Sequence, residues 1–370
     1  MKKDIRLFIL STSFVATSLF VSCQKTETTS VVLPVIPFAE KTYLREVSPF
    51  PVGAAVAYDL VKSNASYQQI VKDEMTSITV ENAQKWGIIH PKQNVFAFEQ
   101  ADLIVDWAKT NGKRVHGHNL LWHAYLPDWI NKFQGDSVAW ENIMKTHIQT
   151  VVKHFKGKVT SWDVVNEAFT DKGKLRVSDG RTDDNSIWAQ KLGKDYVARA
   201  FQYAREADPD VLLFYNDYGQ EGSVAKTQAI LDMVADFKRR NIPINGLGLQ
   251  FHIGVSQSEA SLTQAIRQMV SSGLLVHISE LDVLVSDWQK NPNLVYSDAL
   301  QQKQSDKYKF LAQQYKQLVP KAQQFGITTW NVTDADSWIP ALGYTDWPLL
   351  FDKDYLRKKA YYGFSDGLKN

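Results

Sequence analysis

Two glutamates stand where apolar, strand-like runs give out. The first closes Ser161-Trp162-Asp163-Val164-Val165-Asn166-Glu167, and the second closes Val276-His277-Ile278-Ser279-Glu280, followed by Leu281 and Asp282. A carboxyl group at the end of a buried strand is partly desolvated, which favours its protonated form and suits general-acid work. One such glutamate alone serves an ion pair to an outer helix about as readily. Two of them on different strands can face each other across a barrel mouth, and a facing carboxylate pair is what hydrolysis of a glycosidic bond needs. Side chains alternate along a strand, so Glu280 and Asp282 share one face while Leu281 points the other way.

The elements that must hold these residues can be read from periodicity. From about residue 50, β-branched runs at 52–57, 76–80, 114–117, 161–165, 211–215, 246–250, 274–279 and 328–332 alternate with helical patterns. The helices are expected at 100–110, 137–154, 196–207, 226–240, 262–270 and 303–325, with a short closing helix at 355–362. Eight strands alternating with helices predict an α/β chain, a (β/α)8 TIM barrel forming a single catalytic domain over residues 45–370. A doubly wound open sheet is the alternative, disfavoured because no glycine-rich phosphate loop follows the first strand. Polar residues close one strand after another: Tyr58 and Asp59, Glu81 and Asn82, His118 and Asn119, Asn166 and Glu167, Asn216 and Asp217, Gln250 and His252, Glu280 and Asp282, then Asp334. A barrel converges such groups on one point, whereas an open sheet strings them along an edge.

Composition narrows the partners. A formal net charge of +2 with 22% charged residues gives no basic surface for nucleic acid. The 11 Trp and 15 Tyr are more than most cores need, and sugar rings stack on such faces, although most are expected in the core. Lys2, Lys3 and Arg6 precede an apolar stretch from Leu7 to Val21 that is short for a membrane span and has the form of a secretion signal. Cys23, the single cysteine, follows directly and excludes an internal disulfide. Its place matches the lipidated cysteine of bacterial lipoproteins, with Phe20 where leucine is more usual. Residues 1–22 are therefore expected to be a signal peptide and residues 23–44, rich in Thr and Ser at the start, a flexible tether. The mature protein is expected to be secreted and membrane-anchored through Cys23, in the periplasm or on the cell surface.

Beyond the tether the chain resembles glycoside hydrolase family 10, the β-1,4-xylanases. The resemblance rests on an ordered set of segments: Glu81-Asn82-Ala83-Gln84-Lys85-Trp86, Phe96-Ala97-Phe98-Glu99-Gln100-Ala101-Asp102, Gly117-His118-Asn119-Leu120-Leu121-Trp122-His123, the Asn166-Glu167 segment, Tyr215-Asn216-Asp217-Tyr218, Gln250-Phe251-His252, Glu280-Leu281-Asp282, Trp330 to Trp338, and Pro348-Leu349-Leu350-Phe351-Asp352. It implies Glu167 as acid/base and Glu280 as nucleophile of a retaining reaction. It also implies that His252 hydrogen-bonds Glu280, that Asp282 holds the imidazole, and that Asn166 donates to the sugar 2-hydroxyl. Glu81, Asn82, Lys85 and His123 would hold hydroxyls on the non-reducing side, with Gln250 near the nucleophile, Trp330 and Trp338 as the aromatic wall, and Tyr218 on the leaving-group side. No cofactor or metal is implied. The implied partners are xylan and xylo-oligosaccharides, bound by a monomer.

Trp122, His116 and His277 are expected in the core, and His118 and Asp217 as structural hydrogen-bond partners. Asn119, Gln84, Tyr125, Asn331 and Asn94 stand where the family more often has Thr, Met, Gln, Gly and Gly. Tyr125 and Asn331 bear on the non-reducing subsites. A retaining hydrolase of another β-glycan, such as a β-glucan, stays open, as does a catalytically inert polysaccharide-binding lipoprotein. The second is disfavoured because both glutamates keep their supporting His, Asp and Asn.

Overall fold

The computed structural model describes residues 42–177 and 185–369. Residues 1–41, and with them the signal segment, Cys23 and most of the tether, lie outside the described residues. Residues 42–44, assigned to the tether by sequence, pack on the barrel: Leu44 is fully buried, its N–H donates to Glu74 at 2.9 Å, and the Tyr361 hydroxyl donates to the Thr42 carbonyl at 3.1 Å. Among the described residues no helix is long and apolar enough to cross a membrane.

Among the described residues nine parallel strands are present: β1 (Val52–Val56), β2 (Ser77–Val80), β3 (Arg114–Trp122), β4 (Ser161–Asn166), β5 (Leu212–Asp217), β6 (Gly246–Leu249), β7 (His252–Gly254), β8 (Leu275–Leu284) and β9 (Gln324–Thr329). β1 to β6 pair in sequence order, β6 pairs β8, β8 pairs β9 and β9 pairs β1. The ring is closed with eight staves, as the alternating pattern predicts, and closure removes the edges an open sheet would expose. β7 was not foreseen. Phe251, at φ 54°, kinks the chain after β6, and the next three residues pair with the end of β8.

Packing explains where the barrel departs from the sequence expectation. The last long helix, Asp298–Leu318, stops before Pro320 instead of reaching residue 325, because proline can neither donate in a helix nor tolerate an α conformation before it. The strand after it therefore starts at Gln324, and Trp330 lies just past its end rather than inside it. β3 and β8 are longer than expected and carry His118, Trp122 and Glu280 to the cleft, with Asp282 fully buried. The helix Ala65–Glu74, missed for lack of a clean apolar stripe, is started by Asn64, whose side chain accepts the Tyr67 N–H at 2.9 Å.

The barrel interior is filled, as parallel barrels require. His116, Phe214, His277 and Phe325 meet edge to face or tilted, with Phe214 and Phe325 centroids 4.5 Å apart. Bulk on one stave demands its absence on the next: a Cβ on Gly117 would lie 2.2 Å from Trp162, and one on Gly246 2.0 Å from Phe214. His116 and His277 are thus core residues, as expected.

Candidate active site

Glu167 comes directly after β4 at φ 57°, a backbone conformation rarely adopted by a residue with a side chain and concentrated at functional sites. Its own N–H is held by the Asn216 carbonyl at 2.9 Å. One carboxylate oxygen, Oε1, accepts from Asn166 Nδ2 at 2.9 Å and Gln250 Nε2 at 3.0 Å. The other, Oε2, accepts from the Trp122 indole at 2.9 Å. Trp122 was expected to be core. It is only part-buried and donates straight to the carboxylate.

Glu280 is nearly buried, at 5% exposure, in the middle of β8. Its Oε1 accepts from Asn216 Nδ2 at 2.6 Å and its Oε2 faces His252 Nε2 at 3.2 Å. Asn216 also donates to Asn166 Oδ1 at 2.9 Å, and Ser279 donates to Asn216 Oδ1 at 2.7 Å, which fixes the amide orientation. The two carboxylates therefore sit at the two ends of one short amide chain, Glu167–Asn166–Asn216–Glu280. Asn216 was legible only as a strand-end polar residue in the Tyr215-to-Tyr218 segment. The structure gives it a contact with one carboxylate and a link to the other.

His252 bridges the nucleophile candidate and Asp282, whose Oδ2 lies 3.0 Å from Nδ1 and also accepts from the Trp338 indole at 2.9 Å. Burial alone would push the imidazole toward its neutral form. Asp282 and Glu280 outweigh it and raise the His252 pKa to about 10. Burial likewise works to raise Glu280, and the hydrogen bond from His252 with the nearby His118 outweighs it, so Glu280 lies below its ordinary range. A carboxylate at the bottom of a cleft is in this way kept ionised by an imidazolium. The linkage has a definite sign. A histidine raised on folding contributes stability that is full below its unfolded value near 6.5 and is lost as pH rises through about 10. Nitrogen-15 NMR of His252 is accordingly expected to show an imidazolium at pH 8, and a midpoint near 6.5 would contradict the bridge.

Lys85 stands across the cleft. Its ammonium donates to Asn82 Oδ1 at 2.9 Å and lies 5.2, 5.4 and 5.9 Å from the ring centroids of Trp122, Trp330 and Tyr125. Burial lowers its pKa, while Glu280, Glu81 and Glu167 work against that. Burial raises Glu81, with Lys85 among the groups opposing it. Lys85 and Trp330 line the cleft with the carboxylates, and Asn82 is tied to it through Lys85, while neither Glu81 nor Asn82 is among the lining residues.

The cleft has a volume of about 510 Å³. Its lining includes Lys85, Asn166, Glu167, Tyr218, Gln250, His252, Glu280, Trp330 and Trp338. His123 is half-buried and is not among the lining residues. His118, expected only as a structural partner, does line the cleft and also hydrogen-bonds Asp163 at 2.9 Å, so it serves both cleft and core. Asp282 is fully buried behind His252, consistent with a supporting place. Asp217 is buried beside Lys226 at 3.2 Å, as its structural assignment anticipated. Tyr218 is held by Arg176, which donates to its hydroxyl at 2.6 Å. Trp288 and Glu221 also line the cleft and were not singled out by sequence. Neither belongs to a strand-end pattern. Trp288 lies in the loop after β8, where Asp287 and Trp288 have successive positive φ values of 50° and 61°.

Comparisons with known proteins agree with this geometry. The family model described as glycosyl hydrolase family 10 matches residues 41–366. The endo-β-1,4-xylanase Xyn10C of Cellvibrio japonicus is 38% identical over 356 residues, 89% of this chain and 58% of that protein. The exoglucanase XynX of Acetivibrio thermocellus is 35% identical over 332 residues, 86% of this chain and 29% of that protein. This chain thus spans a little over half of the first relative and under a third of the second. A crystal structure of a Cellvibrio japonicus xylanase 10C variant in complex with xylopentaose superimposes with a TM-score of 0.81 at 37% identity, covering 88% of this chain and 69% of that one. The closed eight-stave barrel, the linked carboxylates of Glu167 and Glu280 and the match along nearly the whole described chain lead to one conclusion: this protein belongs to glycosyl hydrolase family 10.

Proposed function

We propose that the protein is a retaining endo-1,4-β-xylanase, with Glu280 as nucleophile and Glu167 as acid/base. The observation that carries this reading is the pair of carboxylates on separate staves, joined through Asn166 and Asn216, with one of them held ionised by His252. Glu280 attacks the anomeric carbon while Glu167 gives its proton to the departing glycosidic oxygen. A covalent glycosyl-enzyme results. Once Glu280 is an ester its charge is gone, and Glu167, now a carboxylate, takes a proton from the water that attacks the same carbon. Double displacement implies carboxyl groups roughly 5–5.5 Å apart, without room for a water between them and the sugar. His252 and Asp282 hold the nucleophile, and Asn166 reaches the 2-hydroxyl of the sugar being cut. Glu81, Asn82, Lys85 and His123 bind the non-reducing side, Gln250 the sugar at the cut, Tyr218 the leaving-group side, and Trp330 and Trp338 stack on sugar faces.

The names of the relatives support xylan as substrate. The similar exoglucanase favours a second reading, hydrolysis of another β-glycan. Glucose differs from xylose by a hydroxymethyl arm, which the walls around Lys85, Tyr125 and Trp338 must either admit or refuse. Digestion of xylan, β-glucan and mannan with products separated by size decides between them. Short xylo-oligosaccharides from xylan alone are expected. Release mainly from β-glucan would replace the substrate, and binding without release would favour an inert lipoprotein.

We further propose that the protein acts as a secreted monomer anchored through a lipid on Cys23. The basic segment, the apolar stretch and the position of the single cysteine support this. Cys23→Ser is expected to move the enzyme from the membrane fraction to the soluble one, and an unchanged membrane fraction would overturn the anchor.

A further inference from the structure

The ring divides the cleft in two. β4 and β8, which bring in Glu167 and Glu280, leave the staves β9, β1, β2 and β3 on one side and β5 and β6 on the other. Lys85, Trp122 and Trp330 follow or end staves of the first arc. Tyr218 and Glu221 follow β5, on the second arc. A sugar chain cut between the carboxylates leaves one fragment on each arc.

Glu221 is the carboxylate of the second arc for which the mechanism above has no use. It lines the same cleft as the catalytic pair, yet its Oε2 is shut off from water and has no hydrogen-bond partner among the described residues. Buried polar atoms almost always have partners, so an orphan of this kind on a cleft wall marks a place where a ligand supplies the donor. Burial raises the Glu221 pKa, opposed by its own backbone N–H, by the His252 imidazolium and by Lys226, while Asp171 adds to the rise. Gly219, two residues earlier, turns at φ 74° and lines the same cleft. Trp288, 36% exposed, offers an apolar ring in the same cleft. A pyranose needs both, an apolar plane for its face and an acceptor for a hydroxyl.

We propose that Glu221 accepts a hydroxyl of the first sugar on the leaving-group side and so makes the enzyme favour a sugar over other leaving groups there. This rests on the xylanase reading. The test compares wild type, Glu221→Gln and Glu221→Ala on xylopentaose, which places a sugar at that position, and on 4-nitrophenyl β-xylobioside, which places a phenol there. The expected result is a loss of about 10- to 100-fold in kcat/KM on xylopentaose for Glu221→Ala, because a site built to bind a hydroxyl discriminates through that bond. Glu221→Gln, the same shape with one acceptor oxygen, is expected to lose less. Both variants should stay within about twofold of wild type on the aryl substrate, which also shows that they are folded. Equal losses on both substrates would place Glu221 behind His252 instead of against the sugar and overturn the proposal, as would xylopentaose kinetics unchanged in Glu221→Ala. Wild-type protein inert on both substrates would instead remove the xylanase reading, and this inference with it.

Discussion

Glu280→Ala abolishes xylan turnover, by on the order of 10⁵-fold, while the barrel stays folded. The size follows from the role. Without the nucleophile no covalent intermediate forms, and the remaining residues can only bind and orient. The stability expectation follows from the neighbours. Removing Glu280 leaves His252 paired with Asp282 and Asn216 still donating to Asn166, so no buried charge loses its only partner. Initial rates on xylan with a thermal melt of both proteins check the two halves together. Residual activity within about tenfold of wild type would end the nucleophile assignment. An unfolded variant would show that Glu280 is structural as well.

Glu167→Gln separates two steps that the wild type couples. On xylan the leaving group is a sugar alkoxide that cannot depart without a proton, and loss of about 10²- to 10⁴-fold is expected. An aryl xylobioside with an acidic phenol needs no such proton, so the first displacement should survive and give a burst of phenol followed by a slow steady state. Added azide, which attacks without base assistance, should restore the second step and yield a glycosyl azide. The variant is not silent structurally. Gln presents an N–H to donors that now point at a carboxylate, from Asn166, Gln250 and Trp122, so a modest loss of stability accompanies it. Equal losses on xylan and on the aryl substrate, with no effect of azide, would contradict the acid/base assignment.

The sequence carried the architecture because a closed parallel barrel forces its staves to be buried on both faces. Val164 and Val165 before Asn166, or Val276 and Ile278 before Glu280, are runs that only a central strand explains. The same logic exposed Glu167, Glu280, His252 and Asp282 as polar groups interrupting or following such runs, although β8 continues past Glu280 and Asp282 is buried behind His252. What periodicity could not supply was orientation beyond the last strand residue. Trp122 ends β3 on the cleft side, but its pattern reads as core because indole is largely apolar and its one donor is invisible until a carboxylate is placed beside it. His118 and His123 illustrate the same gap. His118 lies within β3 and His123 one residue past its end, and the pairing of β3 with β4 shifts register between His118 and Leu121, so alternation counted along the sequence fails between them. Glu221 and Trp288 sit in loops, where no period applies and left-handed backbone at Asp287 and Trp288 sets the direction of the side chain.

A retaining reaction passes through a covalent bond between Glu280 and the sugar. Incubation with a xylobioside that carries fluorine at C2 of the cut sugar and an activated leaving group slows the second displacement more than the first, and the protein can then be digested and weighed peptide by peptide. One added fluoroxylobiosyl group is expected on the peptide that contains Glu280, with activity lost in proportion to labelling. Turnover of the reagent without any adduct, or an adduct on a peptide that lacks Glu280, would contradict it.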